Sequence, residues 1–418
     1  MLLNRRIIVG VCGGIASYKA IELVSHLQQA GVLVDVILTK HAEDFIRPLT
    51  FTTMSHRPAY TDLWEASGHA AEMHIELGEK AEMLVLVPAT ANTIAKLAHG
   101  IADNMLTAVA LATRAPLLVA PAMYHNMYEH PATQANLALL QERGAFIVGP
   151  VVGRLASGAV GPGRLPETEV LLGAIRMVLG RDGDLANRHV VITAGGTQEP
   201  IDPVRYVGNH SSGKMGYALA EEARDRGARV TLISGPVALQ APYGVKLQAV
   251  HTALHMRDAV YEAIRDADVL VMSAAVADYR PAAPAARKIK KGETQQSSND
   301  ESGLALKLVQ NPDILGELAH APDGQLGNVR IPQRLVRVGF AAETNDITRN
   351  AQAKLVQKQL SMLVANDVSR SDSGFGTDTN KVFIFHADAP MEDLPVMSKP
   401  DVAAAIWDRI VLLLGTSK

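Results

Sequence analysis

The chain has 418 residues, is 48% hydrophobic and carries a formal net charge of −3. That length leaves room for two or three domains, each with its own core. The near-neutral charge argues against nucleic acid or a membrane surface as the main partner, since either favours a basic excess, and small-molecule substrates are expected instead.

A single cysteine, Cys12, excludes an intramolecular disulfide and fits a reducing compartment. The N-terminal apolar run, about five residues long, is too short for a signal peptide. No stretch approaches the roughly 18 apolar residues of a membrane span. A cytoplasmic location is the expectation.

Ile7–Val11 predicts a strand, Cys12-Gly13-Gly14 a turn, Ala16–Ala30 a helix closed by Gly31, and Val32–Leu38 a second strand. The glycines between that strand and helix make a phosphate cradle. The G-x-G-x-x-G spacing is absent, however, and Asp35 falls inside the second strand rather than at its end. A mononucleotide such as FMN therefore suits the turn better than NAD. His74, alone, reads as structural unless a site surrounds it. Met83–Val87 predicts a buried strand, and the Pro88–Thr93 segment beyond it sets the hydroxyl of Thr90 and the amide of Asn92 where a flavin ring or phosphate would rest. Leu117–Val119 is the next strand, followed by Pro121-Ala122-Met123. Phe146–Val148 is another, and Gly153–Arg164 is a glycine-rich flap.

A polar stretch, Arg181–Asp184, marks the domain boundary, giving domains over 1–182 and 188–418. His189–Thr193 then repeats the opening grammar as a buried strand ending in Ala194-Gly195-Gly196. Gly208–Lys214 has the P-loop spacing through its lysine, but Met215 stands where a magnesium-binding hydroxyl should follow. The segment is also displaced from its strand, so a Walker loop is not expected. Ser211 or Ser212 is expected to cap a helix over Gly213–Arg226, whose N-terminus favours an anion. Strands follow at Arg229–Ile233, Val269–Met272, Val336–Phe340, Met362–Val364 and Lys381–Phe385. Strands alternating with helices predict an α/β protein of two doubly wound, Rossmann-like domains, with parallel sheets covered on both faces and ligands beyond the C-terminal strand ends. Pro281–Ser302 is expected to be an irregular loop, and its Lys288-Ile289-Lys290-Lys291 either closes over a phosphate or is a solvated lysine run. His251 and His255 have i, i+4 spacing without the glutamate of a zinc hydrolase and are read as surface histidines.

Together these motifs resemble a known family. GVCGGIASYKA, His74, PATANTIAKLAHGIADNMLT and Pro121–Met123 are similar to FMN-dependent cysteine decarboxylases. AGGTQEPIDPVRYVGNHSSGKMG, AAVADYRP, KIKK, NPDIL, GFAAET and ANDV resemble phosphopantothenate–cysteine ligase. In this order on one chain they resemble the bifunctional bacterial coenzyme A biosynthesis flavoproteins over nearly the whole length. The resemblance implies a flavodoxin-like N-terminal domain that holds FMN through Gly13, Gly14, Ser17, Thr39, Ala89, Thr90 and Asn92. It implies a C-terminal domain that activates 4′-phosphopantothenate with CTP and Mg²⁺, after which the amine of cysteine attacks the acyl-cytidylate. There Met272, Ser273, Ala274, Pro312, Asp313, Ile314, Leu315 and Phe340 match the cytidine pocket. Lys288, Lys354 and Lys358 match the phosphate-facing lysines, Asp278 the nucleotide or metal ligand, Arg205 the anionic-substrate residue, and Asn209 the asparagine needed to use the acyl-cytidylate. The family is oligomeric, with trimers of the N-terminal half and dimers of the C-terminal half.

The N-terminal half departs from the pattern twice. His74 matches the essential histidine of the decarboxylases, but their Pro-Ala-Met-Asn is followed here as Met123-Tyr124, with His125 and Asn126 beyond. Their flap carries Leu-Ala-Cys-Gly, whose thiol gives the final proton, and this chain has Leu155-Ala156-Ser157-Gly158. A hydroxyl is far less acidic than a thiol, whose reference pKa is about 8.5. Two expectations stand side by side: a working site in which Tyr124 or Asn126 binds the carboxylate and another acid acts, or a ligase fused to a flavin-binding domain that does not complete decarboxylation.

Overall fold

The computed structural model describes residues 2–63, 72–290, 304–343, 347–367, 374, 376–387 and 389–416. The chain divides into two compact units, Met1–Gly180 and Arg181–Lys418.

In the first unit, β1 (Arg6–Val11), β2 (Leu33–Leu38), β3 (Ala59–Tyr60), β4 (Met83–Ala89), β5 (Leu117–Pro121) and β6 (Phe146–Ile147) form one sheet in the order β3-β2-β1-β4-β5-β6. Every pairing in it is parallel. Strands covered on both faces need continuous apolar runs, and all seven residues of β4 are buried. The helix Tyr18–Gln29 lays Ala20, Leu23, Val24 and Leu27 on the sheet, the spacing of one helical face. Asp35, fully buried within β2, is neutralised by Arg6 at 2.7 Å and Arg57 at 2.8 Å. That carboxylate is a structural ion-pair partner rather than a ribose ligand.

In the second unit, β7 (His189–Ala194), β8 (Arg229–Ser234), β9 (Lys246–Ala249), β10 (Val269–Met272), β11 (Val336–Glu343), β12 (Met362–Asp367), β13 (Val382–His386) and β14 (Glu392–Asp393) form a sheet ordered β9-β8-β7-β10-β11-β12-β13-β14. Its first six strands are parallel and repeat the arrangement of the first unit. In each sheet the chain winds outward on one side of the first strand, then crosses to the other. The two switch points lie between β1 and β4 and between β7 and β10, where such folds leave a crevice beyond the strand ends. On one face of the second sheet, Trp407 of the helix Lys399–Thr416 is fully buried, and its Nε1–H donates to the Leu219 carbonyl at 2.9 Å.

Two expectations are corrected. The strand expected over Lys381–Phe385 spans Val382–His386 and runs antiparallel to β12 and to β14, an antiparallel edge on an otherwise parallel sheet. The helix expected to be capped by Ser211 or Ser212 begins at Lys214. Its N-cap is Gly213, at φ +75° and with no capping side chain, while Ser211 Oγ accepts only from the Gly213 N–H at 3.4 Å. Of the Pro281–Ser302 loop, residues from 291 onward, Lys291 among them, lie outside the described residues.

Candidate functional sites

In the first unit, three loops leave the C-terminal ends of adjacent strands β1, β4 and β5. Backbone bonds from the Cys12 N–H to the Pro88 carbonyl and from the Ala122 N–H to the Ala89 carbonyl tie them side by side. Gly13 is a glycine of necessity, since a Cβ there would sit 2.5 Å from the His41 carbonyl oxygen, in the segment just after Thr39. The chain next turns into the helix Tyr18–Gln29. Ser17 sits at its N-cap position with no side-chain cap bond, its Oγ fully buried and without a partner. An unpaired buried hydroxyl costs about 1–3 kcal/mol, and at a helix N-terminus a phosphate oxygen would satisfy it. Across the crevice Ala89 is buried, Thr90 caps the helix Ala91–His99 by accepting from the Thr93 N–H, and Asn92 is exposed. Gly13, Gly14, Ser17, Ala89, Thr90 and Asn92 thus line two adjacent strand ends, with Thr39 beside them after β2. Cys12 is buried against Thr90 and Thr93. Burial pushes its thiol above the ordinary value and leaves it no access to solvent.

The flap is an antiparallel hairpin of Val151–Arg154 and Val160–Arg164, with exposed Ser157 in its turn. It folds onto the segment after β5, where the Met123 N–H donates to the Gly163 carbonyl at 3.0 Å. Tyr124, 40% exposed, and Asn126 therefore share one surface with the base of the flap. His74 lies on the helix Met73–Lys80, half-buried, its Nδ1 buried and unpartnered. The Ser17 hydroxyl supplies a test of the cradle. Ser17→Ala should weaken FMN retention about tenfold by removing one charge-assisted bond; equilibrium dialysis against FMN measures it.

In the second unit the turn after β7 meets the turn after β10. The Ala275 N–H donates to the Gly195 carbonyl at 2.8 Å, and Ser273 Oγ donates to the Thr193 carbonyl at 2.5 Å. Gly196 must lack a Cβ, which would lie 2.6 Å from the Asn209 carbonyl oxygen, and this close approach presses Asn209 into the crevice. Its Nδ2 donates to the Val276 carbonyl at 3.1 Å, bridging the two loops.

Of the cavities that open here, two gather the expected nucleotide residues. One, of about 290 Å³, has Met272, Ala274, Phe340 and Pro312–Leu315 in its walls, with Asp278 and a Lys358–Asp313 ion pair of 3.0 Å also lining it. The other, of about 450 Å³, is bounded by Asn209, Ser273, Lys354 and the start of the helix Lys214–Asp225, and shares Ala274, Asp278 and Phe340 with the first. All the expected nucleotide residues except Lys288 thus line one cavity or the other. Lys288 is exposed on a segment held by its neighbour, Ile289, whose N–H donates to Asp202 Oδ2 at 3.1 Å. Arg205 is engaged too: it chelates Asp202 at 2.5 and 3.0 Å and donates to the Ile289 carbonyl at 2.8 Å. Its guanidinium therefore anchors the lysine segment as well as offering charge. His251 and His255 are both exposed, and no cluster of three metal-binding side chains occurs among the described residues.

The buried Asp202 carboxylate is the hub of that anchor. The Arg205 guanidinium, aided by the backbone N–H groups of Val204, Ile289 and Arg205, holds it well below the usual carboxylate range. A depressed folded pKa contributes stability that is complete above the unfolded value of about 3.9 and is lost as pH falls through the folded value. Asp202→Asn should therefore flatten the acid-side fall of the melting temperature below about pH 4, seen in melts at stepped pH.

Sequence reasoning missed Asn380 and Lys399, which also line the larger cavity. Both are buried by segments distant in the chain, so no local pattern marks them.

The chain matches the family described as Flavoprotein over residues 1–180 and the DNA/pantothenate metabolism flavoprotein C-terminal domain over residues 185–413. It is 44% identical to the coenzyme A biosynthesis bifunctional protein CoaBC of Bacillus subtilis, covering 99% of this chain and 98% of that protein. The chain belongs to the bifunctional coenzyme A biosynthesis flavoprotein family. The Escherichia coli K12 member is 43% identical over 98% of this chain and 97% of its own. A solved C-terminal domain of a CoaBC protein is 35% identical and covers 56% of this chain and 98% of its own, with a TM-score of 0.45. Family membership thus spans both units, each with its own crevice.

Proposed function

We propose that this chain makes 4′-phosphopantetheine in two reactions: CTP-dependent joining of 4′-phosphopantothenate to cysteine in the C-terminal unit, and FMN-dependent decarboxylation of the product in the N-terminal unit. The observation that carries the reading is the gathering of the expected nucleotide residues around two adjoining cavities at the β7/β10 switch point, in a chain whose family spans its whole length.

In the ligase unit the apolar walls at Met272, Phe340 and Pro312–Leu315 would take the cytidine, with Lys358 and Lys354 toward its phosphates. The carboxylate of phosphopantothenate attacks the α-phosphorus and pyrophosphate leaves; the cysteine amine then attacks the acyl carbon and CMP leaves. Both steps gather negative charge, which fixed cations and amide donors stabilise. Lys288, outside both cavities on a segment held through Ile289 to Asp202, would approach the leaving phosphates, and Asn209 would hold the acyl-cytidylate. Mg²⁺ commonly keeps several waters and takes only one or two carboxylates plus substrate phosphates. Asp278, lining both cavities, fits that need.

In the N-terminal unit the buried unpaired Ser17 hydroxyl and the Gly13 approach fit a flavin phosphate, and Thr90 and Asn92 fit the polar edge of the ring. FMN, when bound, supplies reversible two-electron chemistry. The chain's own part would be to hold the substrate with His74 and with the Tyr124–Asn126 segment beside the flap. This unit is read as flavodoxin-like: without the two-residue edge strand β3, its order becomes the 2-1-3-4-5 winding of that fold. The same reading includes a cytoplasmic homo-oligomer, trimeric through N-terminal and dimeric through C-terminal halves; Ile101, Leu111 and Met127 leave exposed apolar surface for such contacts.

The ligase reading is tested by pyrophosphate release. Release should require both CTP and 4′-phosphopantothenate but not cysteine in the first turnover. No release with both present, or release from CTP that is unaffected by leaving out 4′-phosphopantothenate, would overturn it.

A further inference from the structure

A further cavity, of about 300 Å³, opens beside Asn209 and has no part in the roles above. The hairpin of Gln198–Pro200 and Tyr206–Gly208 builds one side of it. In that antiparallel register Gln198 lies opposite Gly208 and Pro200 opposite Tyr206. Gln198 and Tyr206 are therefore diagonal neighbours on one face, and both line the cavity. Glu199 alternates to the other face, where it is buried and accepts from the Ala253 N–H at 2.8 Å. The chain leaving the hairpin carries Asn209, His210 and Ser211, which line both this cavity and the larger one described above.

An acyl-cytidylate held in the nucleotide cavities needs an amine brought to its acyl carbon from a separate space, and the cavity across Asn209 is such a space. The amine of cysteine arrives as an ammonium with no free electron pair, so a base must take a proton before it can attack. Imidazole exchanges protons near neutral pH, and His210 is the one imidazole in the lining of these three cavities. Among the described residues its ring, the Gln198 amide and the Tyr206 hydroxyl have no protein partner. Tyr206 is the other titratable group in this lining, which carries no carboxylate and no ammonium. From the larger cavity His210 is faced by Lys214, Lys354, Lys399 and Asp278.

We propose that this cavity is the cysteine subsite of the ligase unit and that His210 is the catalytic base that frees the cysteine amine. This deepens the ligase reading and rests on it. His210 takes one proton from the ammonium, and the freed electron pair forms the C–N bond to the acyl carbon. The bond from that carbon to the phosphate oxygen breaks, CMP leaves with its electron pair, and a second proton passes from nitrogen to water as the amide forms. The Gln198 amide and the Tyr206 hydroxyl offer donors to the cysteine carboxylate, with no like charge in the lining to repel it.

The test forms the acyl-cytidylate on the full chain from CTP, Mg²⁺ and 4′-phosphopantothenate, then adds a nucleophile and follows CMP release. His210→Gln should keep the pyrophosphate burst, slow the reaction with cysteine about 100-fold at pH 7, and recover toward wild type as rising pH supplies free amine. Hydroxylamine, largely unprotonated at neutral pH, should react equally well with both proteins. Gln198→Ala should raise the half-saturating cysteine concentration about tenfold and leave that of 4′-phosphopantothenate unchanged. Unchanged cysteine rates in His210→Gln, or equal slowing of cysteine and hydroxylamine, would overturn the base. A shift confined to 4′-phosphopantothenate in Gln198→Ala would overturn the subsite and give the cavity to that substrate. A wild-type chain with no pyrophosphate burst fails earlier, before cysteine is added, and overturns the ligase reading itself.

Discussion

Asn209→Asp is expected to lower the ligation rate by about two to three orders of magnitude while leaving the melting temperature nearly unchanged. The amide joins the loops after β7 and β10 through one bond, from Nδ2 to the Val276 carbonyl at 3.1 Å. A carboxylate has no proton to give, so that bond is lost and two oxygens face each other. The same charge would stand in the wall of the cavity expected to hold the acyl-cytidylate and its phosphate, repelling it. Asn209 is exposed and bears on no core residue, so the fold should not suffer. Single-turnover formation of phosphopantothenoylcysteine, followed by quenching and chromatography, measures the effect. A variant that ligates within a few-fold of wild type would remove Asn209 from the chemistry.

Ser157→Cys is expected to speed the final reduction to 4′-phosphopantetheine by about 100-fold, without altering the release of carbon dioxide that precedes it. Well-placed general acids contribute roughly 10²–10⁴-fold, and a thiol with a reference pKa near 8.5 gives a proton far more readily than a hydroxyl. The substitution is nearly isosteric. Ser157 is exposed at the flap turn, which is closed by backbone bonds from the Leu155 N–H to the Ala159 carbonyl and from the Gly158 N–H to the Leu155 carbonyl. Cys12 is fully buried, without access to solvent. Time courses of carbon dioxide and phosphopantetheine, measured together, separate the two steps. Equal rates of the second step in both proteins would mean that another group already donates the proton.

The winding of both sheets was legible because strands buried on two faces must be written as apolar runs, and Ile7–Val11, Met83–Val87 and His189–Thr193 are such runs. The glycine turns after them were legible for a steric reason: Gly13 and Gly196 each meet a carbonyl oxygen that any side chain would strike. Strand direction was not, because a buried antiparallel strand such as Val382–His386 carries the same apolar signature as a parallel one. Nor was the helix start at Lys214, where Gly213 in a left-handed conformation takes the place a capping serine usually holds. Arg205 illustrates a further limit. Its pairing with Asp202 fits a local i, i+3 spacing, but both groups also grip Ile289, more than eighty positions away in the chain. No local pattern marks Lys399, and only tertiary packing shows it to be a buried cation.

The measurement that bears most directly on the two-reaction account is mass spectrometry of the products formed by the purified protein from 4′-phosphopantothenate, cysteine, CTP, Mg²⁺ and FMN. The account predicts phosphopantothenoylcysteine early, then 4′-phosphopantetheine, with an enethiol two hydrogens short of it accumulating between them because Ser157 is a poor acid. Phosphopantothenoylcysteine as the sole end product would contradict the decarboxylase half, and its absence at all times would contradict the ligase half.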